Sequence, residues 1–165
     1  MTTIKHQTSF EINRSAKELF PLFSAEGEKL WVPGWDYENI MGTTELHEDY
    51  IFLTSNHHRP DHHRFDHHGT TKEIWLVKRY EPSSYFVQFY MVDPYDRVGI
   101  VSVLCKPISE DLTEVEVTYE FVGLSEKGDD FIKGYTAEVF ETSIASWPIW
   151  LEGYFEAKKG NTLEE

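Results

Sequence analysis

The chain has 165 residues, 40% of them hydrophobic and 15% aromatic, with a formal charge of -14 at pH 7. That length suits one domain, residues 1–165, with a real core. The acidic balance argues against nucleic acid or an anionic membrane as a partner, because both reward Lys and Arg. The single cysteine, Cys105, excludes an intramolecular disulfide framework, and its apolar setting VSVLC marks it as a buried, inert thiol. No apolar run approaches membrane-spanning length, and MTTIKHQTSF lacks an apolar signal region, so the expected location is cytoplasmic. From Ser109 onward 14 acidic residues face 4 basic ones, the pattern of solvated outer faces that favour solubility.

In chain order, IKHQTSFEIN reads as a first strand. Ser15 with Glu18 three residues on is a capping box opening the helix AKELFPLF, which Pro21 limits. A second helical turn, EGEKLW, ends at VPGW. Six strand-like segments follow, at about 36–46, 49–55, 71–80, 84–92, 97–106 and 113–124, separated by turn residues such as Pro82-Ser83-Ser84 and Asp93-Pro94. In the last of them Val115, Val117, Tyr119 and Phe121 share one face while Glu116, Thr118 and Glu120 share the other, as in an antiparallel sheet with one wet side. A long helix is then expected from Phe131 to about Lys158, with apolar residues at three- and four-residue steps and a kink at Pro148. The whole reads as α+β: a curved seven-stranded antiparallel sheet wrapped on a long C-terminal helix, with two short helices after the first strand. A curved sheet lifts the helix from its centre and leaves a hollow of the kind that binds small molecules.

Residues 56–69, NHHRPDHHRFDHHG, hold six of the eight histidines as pairs: His57 and His58, His62 and His63, His67 and His68. Imidazoles suit zinc or nickel, and Asp61 and Asp66 add oxygen donors. The five-residue spacing fits one face of neither a helix nor a strand. Ordering the whole loop costs roughly 1–2 kcal/mol per residue. That total rivals or exceeds the ~10–16 kcal/mol a structural zinc returns. The reading is therefore a loop that is a solvated segment without a role, a weak two- or three-histidine zinc or nickel chelate, adventitious or regulatory, a catalytic metal site, or a pH-responsive element, since adjacent histidines repel when protonated. No cofactor is required by any motif.

The element order, together with Phe20-Pro21-Leu22-Phe23, Glu28, Trp31-Val32-Pro33-Gly34-Trp35, Trp75, Thr118-Tyr119, Gly128 and the aromatic C-terminal helix, resembles the START-domain superfamily of helix-grip folds. Within it the chain is most similar to the bacterial polyketide cyclase/dehydrase-like or lipid-transport-like branch, over about residues 5–157. The resemblance implies an apolar or amphipathic small molecule bound between helix and sheet. In some members it implies cyclisation, dehydration or hydrolysis there, and fold alone does not choose among these. It also makes residues 56–69 an insertion, because relatives connect those strands more briefly.

No phosphate loop, nucleophile elbow, zincin or CxxC motif is present. Candidates for acid–base work are Glu28, Asp36, Glu38, His47, Arg97 and Glu138; Glu28 and Arg97 lie beside aromatic or apolar runs and lead the group. Candidate cavity walls are Trp31 and Trp35 at one end, Trp75, Phe89, Tyr119 and Phe121 on the sheet, and Tyr135, Phe140 and Trp147 on the helix, with plain core packing the alternative for each. Three functional readings follow: binding of an apolar or aromatic, lipid- or polyketide-like molecule; a cyclase or dehydratase acting on such a substrate; and an interaction protein similar to the helix-grip co-chaperones of the Hsp90 system. The oligomeric state is not encoded in any motif.

Overall fold

The structure is a computed structural model and describes residues 2–55 and 72–164. The histidine pairs His57/His58, His62/His63 and His67/His68 lie outside the described residues, and with them the expected insertion and metal site.

Strands β1 (Thr3–Ile12), β2 (Ile51–Ser55), β3 (Lys72–Glu81), β4 (Phe86–Asp93), β5 (Arg97–Ser109) and β6 (Leu112–Gly123) form one sheet in the order β1-β6-β5-β4-β3-β2, antiparallel throughout. β2 to β6 thus form a meander, and β1 closes the far edge against β6. Alternation decides which face is covered: Val115, Val117 and Phe121 are buried, as are Val87, Phe89 and Met91 on β4 and Val101, Val103 and Cys105 on β5. Cys105 is wholly enclosed, and burial pushes its thiol up to about 12, so it is unreactive at neutral pH.

The sheet has six strands rather than the expected seven. Residues 36–46 pair their backbone with β2 at one isolated bridge, Glu38 to Leu53. Their composition explains it. Asn39 Oδ1 accepts from the Gly42 amide at 3.0 Å, and Gly42 takes φ 76°, a turn that breaks any extended run. Ile40 and Met41 are left exposed.

Between β1 and β2 lie a short helix α1 (Ala16–Leu19) and two 3₁₀ turns, Phe20–Leu22 and Gly27–Leu30. Ser15 caps α1, its hydroxyl accepting from the Glu18 amide at 3.1 Å, and Pro21 tightens the chain directly afterwards.

The C-terminal segment is three helices, not one kinked helix: α2 (Glu126–Gly134), α3 (Ala137–Ile144) and the 19-residue α4 (Ser146–Glu164). Ser125 caps α2, which begins at Glu126, five residues before the expected start. The break between α2 and α3 follows from Gly134 and from Thr136, whose hydroxyl accepts from the Val139 amide at 3.2 Å. It is fixed to the sheet by His6, whose Nε2 lies 2.8 Å from the Tyr135 carbonyl oxygen while its ring stacks on Phe140. Pro148 acts as expected in kind but not in place. It cannot donate to the Ile144 carbonyl, so the ladder lapses at Ala145 and α4 restarts with Pro148 in its first turn, where no donor is needed.

Two close approaches seat α2 on the sheet end. A Cβ on Gly128 would fall within the van der Waals envelope of the Asp96 carbonyl oxygen, and one on Gly123 would meet the Asp129 carboxylate. Among the described residues no helix is long and apolar enough to cross a membrane.

Candidate functional site

A cavity of about 280 Å³ lies between the sheet and α4. Its floor comes from every strand but β1: Phe52, Thr54 and Ser55 of β2, Trp75 of β3, Phe89 of β4, Val101 and Val103 of β5, and Tyr119 of β6. Its roof is Trp147 and Trp150 of α4, and its side is the segment carrying Glu28, Val32, Pro33, Trp35 and Asp36. The lining is mostly apolar with a few polar groups, the usual constitution of a small-molecule site, and its size sits near the lower end of the ~300–1,000 Å³ such sites span.

The hollow persists because its aromatic walls brace one another instead of collapsing. The Phe52 and Trp75 rings stack with centroids 5.7 Å apart, and Trp35 stands edge-on to both at 6.3 Å. Trp35 is held from behind by its indole N–H, which donates to the Ala25 carbonyl at 2.8 Å. Trp31 is a strut rather than a wall. It is buried, donates to the Leu22 carbonyl at 2.8 Å, and lies edge-on to Phe23 and Trp147 at 5.5 Å. It thereby fixes the roof over the floor.

Of the residues expected to form the wall, Trp35, Trp75, Phe89, Tyr119 and Trp147 line this cavity, and Glu28 joins them. Phe121, Tyr135 and Phe140 lie outside the lining. Tyr119 and Phe121 point to the same face two residues apart, yet Phe121 is sealed by Phe131 and Tyr135 at 5.4 and 5.1 Å, while Tyr119 meets Phe140 at 5.3 Å and still borders the void. Sequence reasoning did not name Phe52, Thr54, Ser55, Val101, Val103 or Trp150. The aliphatic and hydroxyl positions carry no compositional signal, but Phe52 and Thr54 share the inward phase of their strand, which alternation does reveal.

Arg97 lies away from the cavity, at the end of the sheet where α2 docks. It is 2% exposed, its Nη1 is 2.5 Å from Asp96 Oδ2 and 3.4 Å from Asp93 Oδ2, and its guanidinium carbon sits 3.6 Å from the centre of the Phe131 ring. Strand register puts a polar row across the inner face here: Thr54 pairs with Glu73, and Asp93 pairs with Arg97. Glu73 is wholly buried and is the functional-looking carboxylate that sequence reasoning overlooked. Of the other acid–base candidates, Asp36 lines the cavity and Glu38, His47 and Glu138 do not. Glu38 instead binds Lys72 at 2.5 Å on the surface.

An antiparallel sheet closed over by C-terminal helices around an aromatic hollow is a helix-grip fold, as the resemblance implied. Solved structures agree. Norcoclaurine synthase from Thalictrum flavum in complex with dopamine and hydroxybenzaldehyde superposes with a TM-score of 0.63 at 13% identity, covering 92% of this chain and 88% of that one. The Zhui aromatase/cyclase from Streptomyces sp. R1128 gives 0.65 at 10% identity, covering 93% and 94%. Ara h 8.0201 gives 0.58 at 11% identity, covering 99% and 100%. Identities this low establish the shared fold and nothing finer. Neither a protein-family model nor a curated protein matches the sequence.

Proposed function

We propose that the protein binds an apolar or aromatic small molecule in the cavity between the sheet and α4. The observation that carries this reading is the hollow itself. Four tryptophans and two phenylalanines surround about 280 Å³ that close packing would otherwise fill, and cores rarely leave such voids. The complex of norcoclaurine synthase with two small aromatic molecules supports the size and chemistry suggested for the ligand. A second reading, acid–base chemistry of the cyclase or dehydratase kind on that ligand, is favoured by Glu28 and Asp36 standing on the same wall.

Native mass spectrometry of protein purified without a metal column tests the binding reading against the denatured mass. An excess that departs with organic extraction is expected. Val101→Phe, which drives a ring into the void from the middle of β5, is expected to lose that excess with its melting temperature unchanged or raised, because the added ring fills space and displaces no neighbour. Retention of the same bound mass by Val101→Phe would place the ligand elsewhere and end this reading.

A further inference from the structure

One buried polar group of the cavity lining has its hydrogen-bonding directions assigned by its neighbours. Thr54 is 6% exposed and lines the hollow from β2. Its hydroxyl donates to Glu73 Oε1 at 3.1 Å, and the Trp75 indole N–H donates to that same hydroxyl oxygen at 2.9 Å. A hydroxyl has one proton and two lone pairs. Its proton is directed to a carboxylate, an acceptor-only group when ionised, and one lone pair is taken by the indole. What remains toward the cavity is one lone pair. The other indole whose hydrogen bond is fixed nearby, that of Trp35, points at the Ala25 carbonyl and not into the hollow.

We infer that Thr54 presents a fixed hydrogen-bond acceptor inside the cavity, held in that role by Glu73, so that the site selects an aromatic or apolar ligand carrying a hydroxyl or N–H donor over the same ligand without one. This rests on the binding reading above and specifies its ligand class. Glu73 is a positioning residue, since it reaches the ligand through the Thr54 hydroxyl. Glu73 also raises the acceptor strength of that oxygen, because a hydroxyl that donates its proton is polarised toward further acceptance. A donor-bearing ligand therefore gains a bond in a water-poor site, and a ligand lacking the donor leaves the lone pair unmet, an asymmetry that discriminates more sharply than added apolar contact.

The test uses 2-naphthol and 2-methoxynaphthalene, two-ring probes that differ in whether the oxygen carries a proton. Dissociation constants from equilibrium dialysis of the whole chain are compared. The unsubstituted protein is expected to prefer 2-naphthol by roughly tenfold, the ratio a hydrogen bond of about 1.4 kcal/mol gives. Thr54→Val, which keeps the shape of the side chain, is expected to bring the ratio close to one, and Thr54→Ser to preserve it. Glu73→Gln is expected to lower the ratio, because its amide either accepts the Thr54 proton more weakly or turns and donates, freeing that proton toward the cavity. Equal ratios in the unsubstituted protein and Thr54→Val would overturn the inference. A ratio that survives Glu73→Gln unchanged would remove the role given to Glu73. If neither probe binds the unsubstituted protein, the binding reading falls and takes the inference with it. Binding of both without preference overturns the inference alone.

Discussion

Arg97→Met is expected to lower the unfolding free energy by about 3–5 kcal/mol at pH 7.5, the cost of breaking a buried ion pair from one side. The magnitude follows from what the substitution leaves behind. Asp93 and Asp96 are 5% and 8% exposed, and both carboxylates bind the Arg97 guanidinium, so its loss leaves two buried acids without that counter-charge. Methionine fits much of the same volume and keeps an apolar contact with Phe131, so little of the loss comes from packing. Arg97→Lys separates charge from shape. It retains the cation but not the flat face laid on the Phe131 ring at 3.6 Å, and is expected to lose a smaller amount, about 1–2 kcal/mol. Urea midpoints at constant slope measure both. An Arg97→Met variant within about 1 kcal/mol of the parent would mean that the carboxylates are already neutral in the native protein and that Arg97 contributes little.

The docking of α2 depends on the same cluster. The Asp96 carbonyl accepts from the Leu124 amide at 2.8 Å, the Asp129 carboxylate accepts from the Thr2 amide at 2.9 Å, and Gly128 lies flat on the β4–β5 turn. Arg97 therefore joins the C-terminal helices to the sheet end, and the cavity roof continues from them through α3 into α4. Its place beside apolar residues in the sequence, which put it among the leading acid–base candidates, reflects this structural burial.

What could be read in advance divides along physical lines. Alternation in VEVTYEFV and the Ser15–Glu18 cap are local, and both appear in the structure where they were expected. The extra strand at 36–46 failed because Asn39 and Gly42 turn the chain, and those turn residues outweigh the apolar content around them. The break at Tyr135–Thr136 had its cap in plain view but was hidden by an apolar periodicity that runs through it, since three- and four-residue steps continue across a short interruption. Glu73 was visible by phase, two residues before Trp75 on the same face, while its neighbours Thr54 and Asp93 come from strand register, which pairs residues about 20 positions apart and which no local pattern encodes. Likewise, nothing local separates Tyr119, at the void, from Phe121, sealed under α2. The difference is where along β6 each helix crosses.

The second large effect is in the pH dependence of stability. Burial pushes the Asp93 carboxyl up from its ordinary 3.8 to about 6, with Arg97 opposing, Asp96 and Glu73 adding to the rise, and Lys127 opposing from α2. A carboxyl with a raised value binds its proton more tightly folded than unfolded. Its contribution to stability is therefore fully present below pH 3.8 and is lost as the pH rises through about 6. At 1.36 kcal/mol per pKa unit this amounts to roughly 3 kcal/mol. Asp93→Asn supplies the reference, since asparagine does not titrate and cancels every other ionising group common to the two proteins. The stability of the parent minus that of Asp93→Asn is expected to rise by about 2.4 kcal/mol between pH 8 and pH 4, most of it between 6 and 4. Urea unfolding of both proteins across that range measures the difference. A slope of the opposite sign would mean that attraction to Arg97 exceeds desolvation and holds Asp93 charged in the fold. In that case the ion pair, and not the buried acid, would set the acid sensitivity of the sheet end.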